Sequence, residues 1–288
     1  MFSLDEVCTR ALALPCSPTL VPRLGELLRR DDADLADLAA LVGLDPVLAS
    51  ATIRLANSAF FSAGQPASSV AEAALRLGAG ELYRLAALSL ASRWMSIEVD
   101  GYRWEAGDFC RASLVQAVAA EALARRTGGV DPDTAYTCGL VHELGKLAIA
   151  HSCPDRFAAI RAWRGERGGT WLEAETAVLG FNHADASARL LRDWRFPEDC
   201  VAVAAFPPPD AALPAAHRPL AAHVHAARHL AAAFGAGQGE DAFLFRLDSG
   251  LLAEHGLVPD LLESTLPEVL ERASALLGDR LTVGPVKF

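Results

Sequence analysis

Residues Asp45 to Gly78 read DPVLASATIRLANSAFFSAGQPASSVAEAALRLG, and nearly every position in them speaks for helix packed on helix. Pro46 pre-sets a first helical turn, where its missing N–H costs nothing. Leu48, Thr52 and Leu55 then recur on one face. Asn57-Ser58 ends that helix because both side chains compete for neighbouring backbone groups, and Phe60-Phe61 is placed to plug a core from the turn. The polar segment 62–68 leads to a second helix carrying Val70, Ala74 and Leu77. Ser69 and Glu72 start it with the spacing of a capping box. Each residue here has a purely structural role open to it in termination and packing.

The same grammar extends outward. Ser3/Glu6, Thr170/Glu173 and Thr265/Glu268 repeat the capping spacing, and Asp131-Pro132 and Phe196-Pro197 repeat the proline start. Leu20, Leu24, Leu27 and Leu28 share a helical face. Asp34 caps a short helix with Leu35, Leu38 and Val42 that Gly43 ends. Isoleucine occurs only at 53, 97, 149 and 160, while Ala and Leu dominate, a balance that favours helices over strands. No fixed repeat indicates a solenoid. Ser96 to Gly107 lacks the periodicity and reads as an irregular connection. Phe206-Pro-Pro-Pro-Asp210 forbids helix and forces an extended turn. The expected fold class is all-α, with an N-terminal helical bundle (residues 1–100) packed on a second helical subdomain (residues 101–288).

Composition narrows the functions. The 288 residues carry a formal charge of −10, which opposes a broad nucleic-acid footprint, so no nucleic-acid partner is expected. Mean hydropathy is +0.22, yet no run reaches the roughly 18 apolar residues of a membrane span. His223, His225, Arg228 and His229 interrupt the longest Ala/Leu stretch. Met1 to Cys16 carries Asp5 and Glu6 where an export signal carries positive charge. A cytoplasmic protein with no membrane partner is therefore expected. Six cysteines, at 8, 16, 110, 138, 153 and 200, include no C-x-x-C pair and read as buried and reduced. His225 and His229 stand at i, i+4, but without clustered carboxylates or cysteines they read as surface or core histidines, beside His217 and His223. The tail after Gly278 reads as a loose or docked end.

As a whole, the segment from Asp45 to Gly78 resembles the signature of HDOD domains, modules of bacterial signalling proteins. The run Leu55-Ala56-Asn57-Ser58-Ala59-Phe60-Phe61 is the most specific part, with Asp45-Pro46 before it and Ser68-Ser69 and Leu77-Gly78 after it. Pro15 through Leu28 resembles the family's opening segment, His142-Glu-Leu-Gly-Lys146 its HD-like centre, and Asn182-His183 with Trp194 its later helix. The resemblance covers roughly residues 12 to 235. It implies that the second subdomain is related to HD-type phosphohydrolases.

Such enzymes hold a divalent metal with a histidine, an adjacent His-Asp pair and a distant aspartate. By this resemblance the first histidine falls on Ala112, in a helix starting at Phe109. The pair becomes His142-Glu143, whose added methylene shifts the carboxylate by over about an ångström. The final aspartate falls on Arg228, in a helix from Pro219 to Phe234. His183 and Asp185 complete the vestigial positions. Neither a methyl group nor a guanidinium ligates a metal, so no metal, no cofactor and no catalysis are expected. Arg228 is expected to pair with Glu143, and Lys146 to reach Glu143 or solvent.

The function expected is a non-catalytic regulatory protein of signal transduction that binds a signalling protein partner, or a nucleotide second messenger, between the two halves. Asn57, Ser58, Phe60, Phe61 and Ser68 form the candidate interaction surface. The alternatives are a residual metal-dependent phosphohydrolase or phosphodiesterase using His142, Glu143, His183 and Asp185, and a cyclic-dinucleotide receptor using arginines. No GGDEF, EAL, kinase or receiver segment is read in the sequence, so input and output are expected from other chains.

Overall fold

The structure is a computed structural model that describes residues 3–12, 35–43, 46–58, 60–61, 67–95, 101–105, 108–193, 196–207, 212–234, 240 and 248–277. Several sequence expectations lie outside the described residues: the leucine face 20–28, the Asp34 cap, Trp194, prolines 208 and 209, and the tail 278–288. Most of the segment 62–68, and positions 96–100 and 106–107 of the irregular connection, also lie outside them.

Among the described residues there is no strand, as the dominance of alanine and leucine predicts. The helices are α1 (Leu4–Leu12), α2 (Leu35–Gly43), α3 (Pro46–Ala56), α4 (Val70–Met95), α5 (Asp108–Thr127), α6 (Pro132–Val141) and α7 (Leu144–Ser152). They continue as α8 (Phe157–Arg167), α9 (Trp171–Leu179), α10 (His183–Asp193), α11 (Glu198–Ala205), α12 (Arg218–Ala233), α13 (Ser249–Glu254) and α14 (Pro259–Leu277).

Helix α5 is the axis of the second half. Every residue from Ala112 to Ala124 is buried, and its alanines let α6, α12 and α14 pack closely around it. Helices α2 and α3 pack on α4, which in turn meets α5 and α6. Helix α4 bends at Gly78, whose φ of +78° lies in the region that glycine alone adopts at little cost. The first helix crosses the boundary expected near residue 100: α1 packs on α7 and α10, and Asp5 pairs with Arg189.

The caps follow the sequence with one exception. The Ser3/Glu6 and Thr170/Glu173 boxes form, and Asp131 caps α6 through Thr134 N with Pro132 at the first position. At α4 Ser69 Oγ accepts from Glu72 N, while Glu72 reaches back to Ser68 N. Thr265 is the exception and corrects the expected start there. Pro259 and Asp260 begin α14 earlier, and Thr265 lies inside it, its hydroxyl donating to Leu261 O. The described part of the irregular connection includes a turn at 101–103 whose Tyr102 is fully buried among Trp104, Phe157 and Trp171. No helix among the described residues is long and apolar enough to cross a membrane.

Candidate functional site

The turn between α6 and α7 carries His142 and Glu143. Two glycines set its position by permitting close approach. A Cβ on Gly139 would stand 2.9 Å from Ala117 Cα and from Gln116 O, so α6 lies directly on α5. A Cβ on Gly145 would stand 2.0 Å from His183 O, which fixes the start of α7 against the start of α10. There Gly145 N donates to Ser187 Oγ at 2.8 Å.

Glu143 is buried and meets three partners. Lys146 Nζ lies 2.5 Å from its Oε1 and Arg228 Nη2 lies 3.2 Å from the same oxygen. Gln116 Nε2 approaches Oε2 at 3.5 Å. Burial alone would raise the carboxyl's pKa, but Arg228 and Lys146 overcome that and hold it well below the usual range. Lys146 is only 3% exposed, so of its two expected destinations it takes Glu143 and not solvent. Arg228, on α12, takes the place the sequence assigned to it.

His142 is buried beside this cluster. Its Nδ1 lies 3.1 Å from Cys138 O and 3.2 Å from Gly139 O, so this nitrogen carries the proton. Burial pushes its pKa down to about 4, with Arg228 and Lys146 adding to the effect and Glu143 opposing it. Ala112 is buried one turn before Gln116 on α5 and offers only a methyl group.

The remaining expected site positions find partners elsewhere. His183 Nδ1 donates to Glu175 Oε2 at 2.7 Å and His183 N donates to the same oxygen, while Tyr102 donates to Oε1 at 2.6 Å. Asp185 is exposed, and its carboxylate accepts from Asn182 N in the first turn of α10. Of the six positions, the structure therefore brings Glu143 and Arg228 together beside His142, whereas His183 and Asp185 serve the α9–α10 junction. Among the described residues, no group of three or more His, Cys, Asp or Glu is placed to hold a metal ion. His217 pairs with Asp199, and His223 with Thr127 and Pro219 O.

The candidate interaction surface resolves into distinct tasks. Asn57 clamps the turn back, its Oδ1 accepting from Ala67 N and its amide donating to Ala67 O, with Arg76 alongside. Ser58 Oγ donates to Leu55 O, and Ser68 caps α4 through Glu72. Phe61 packs on the core as expected, but Phe60 does not: it is 48% exposed, with its ring edge-on to Phe61.

Sequence reading missed a second buried polar group. Glu121 on α5 meets Arg84 of α4, Arg125, and Arg272 of α14, while Arg272 and Arg84 also contact Glu81 and Arg84 contacts Asp133. Glu121 is the one charged residue among the buried residues of its helix, and a buried carboxylate requires partners. The Tyr102–Glu175–His183 group was missed in the same way.

The HDOD domain model matches residues 14–207, more than half of the chain, and the chain belongs to the HDOD family. It resembles the solved HDOD domain protein of unknown function from Geobacter sulfurreducens, with a TM-score of 0.74 and 22% identity, covering 95% of this chain and 99% of that one. It also resembles a candidate signal transduction protein of Marinobacter aquaeolei VT8 (TM-score 0.70, 25% identity, 93% of this chain and 59% of that one). A candidate phosphohydrolase of Shewanella amazonensis SB2B matches with a TM-score of 0.69 and 24% identity, over 94% and 96% of the two chains. An uncharacterised protein of Treponema pallidum is 25% identical over 198 residues, which are 68% of this chain and 38% of that protein's length.

Proposed function

We propose that this chain is a non-catalytic regulatory member of the HDOD family that acts in signal transduction by binding a protein partner. The observation that carries the reading is the ion cluster of Glu143, Lys146 and Arg228. A divalent metal at an HD-type centre needs several anionic or imidazole donors turned to one point. Here the carboxylate at that point already has an ammonium and a guanidinium against it. Ala112 supplies no donor, and Asp185 is exposed at the start of α10, where its carboxylate accepts from Asn182 N. These residues do not fit a divalent ion, and a cation entering would meet two positive charges at close range. Likeness to the candidate signal transduction protein of Marinobacter aquaeolei VT8 supports the regulatory half of the reading.

The test is turnover. Purified protein supplied with Mn(II), Fe(II) or Zn(II) is expected to hydrolyse neither bis(p-nitrophenyl) phosphate nor cyclic dinucleotides above a metal-free control. A metal-dependent rate that disappears in Glu143→Gln overturns the proposal. A panel of nucleotides followed by thermal shift separates the receptor alternative: saturable stabilisation that vanishes in Arg228→Ala makes a nucleotide the partner.

A further inference from the structure

We infer that Cys138 and Cys200 form a redox-responsive pair that closes to a disulfide under oxidising conditions. The two thiols come from α6 and α11, 62 residues apart in sequence, and their sulfurs lie 2.6 Å apart. Both side chains are fully buried, so each sulfur meets its most reactive neighbour within a site that excludes solvent. Two cysteines serving merely as small apolar fillers have no need to place sulfur against sulfur. The location adds a consequence. Cys138 O accepts from His142 N at 3.0 Å and lies 3.1 Å from His142 Nδ1, so the turn that carries His142 and Glu143 hangs from this residue. A bond to Cys200 fastens that turn to α11.

The chemistry is thiol–disulfide exchange with a low-molecular-weight disulfide such as oxidised glutathione. One thiolate of the pair attacks the glutathione disulfide, forming a mixed disulfide and releasing one glutathione thiol. The second thiolate attacks the protein sulfur of that mixed disulfide and expels the other glutathione. The two protons lost by the cysteines end on the two released thiols, and the two electrons reduce the oxidant's sulfur–sulfur bond. Burial raises the Cys138 thiol, and the hydrogen bond with Cys200 raises it further. Exchange is therefore slow in the closed fold and proceeds when α11 opens or while the chain folds.

The full chain is treated with oxidised glutathione both folded and during refolding, blocked with iodoacetamide and digested with trypsin without reduction. The expected product links peptide 127–146 to peptide 196–228, and it disappears on reduction. The oxidised protein also melts higher than the reduced protein by roughly 5–15 °C, a rise reversed by dithiothreitol. Cys138→Ala and Cys200→Ala each lose the link and the rise while melting close to the reduced parent. Recovery of both peptides separately alkylated or separately glutathionylated under both treatments overturns the inference. So does a link formed only to another cysteine, or a rise that persists in both variants.

Discussion

Arg228 Nη2 stands 3.2 Å from Glu143 Oε1, so a guanidinium from α12 neutralises the carboxylate at the centre of the HD-like half. Lys146 completes the arrangement from one turn further along the chain. The carboxylate and the guanidinium form an ion pair, and its energetics follow from burial.

Removing Arg228 deprives Glu143 of one of two cations, whereas removing Glu143 takes the shared carboxylate from both Lys146 and Arg228. Arg228→Ala is expected to lower the unfolding free energy by roughly 1–3 kcal/mol, and Glu143→Ala by about 3–5 kcal/mol. Urea unfolding of the two variants and the double variant measures this. Strict additivity in the double variant contradicts direct coupling between the two side chains.

Acid destabilises the fold through His142. Its pKa is about 4 when folded and about 6.5 when unfolded. The unfolded chain therefore binds more protons between these values, and stability falls as pH drops from about 6.5 to 4. His142 alone accounts for up to roughly 3 kcal/mol of that loss. His223 and His229, both pushed down by burial, act in the same direction. Unfolding curves across this range are expected to flatten in His142→Gln; an unchanged slope contradicts the assignment.

The close approach at Gly145 predicts a sharper effect than residue size suggests. Gly145→Ala places a methyl group against His183 O and Ser187 N, so α7 and α10 must separate. A loss of at least about 1–3 kcal/mol is expected. Thermal unfolding close to the parent's would show that the two helix starts are not in contact.

The C-terminal helix belongs to the fold although it lies beyond the family match at residue 207. Burial raises the Glu121 carboxyl, and Arg272, Arg84 and Arg125 counter that. Arg272→Ala leaves Glu81 and Glu121 without their α14 partner and is expected to cost about 3–5 kcal/mol. Deletion from Pro259 onward is expected to prevent folding, read by circular dichroism and proteolysis. A truncated chain that melts cooperatively near the parent's temperature contradicts this.

Much of this fold was legible in the sequence because helix signals are local. Pro132 with Asp131, the Thr170/Glu173 box and Ala/Leu periodicity each act within a few residues, and each reappears in the structure. The false start at Thr265 fell to a stronger start at Pro259. The site was legible only where a resemblance supplied the long-range pairing. Residues 143 and 228 share no local signal, so nothing in spacing alone joins them. Glu175 and Glu121 were hidden for the same reason: a buried acid reads as an ordinary surface acid until the fold places Tyr102, His183 or Arg272 beside it.

The most direct test of the central claim, that an ion cluster stands where an HD-type metal would bind, is metal retention. Wild-type protein equilibrated with Mn(II), Fe(II) and Zn(II), dialysed and measured by inductively coupled plasma mass spectrometry is expected to keep no more metal than Glu143→Ala. One ion retained per chain in the wild type and lost in Glu143→Ala would contradict the account.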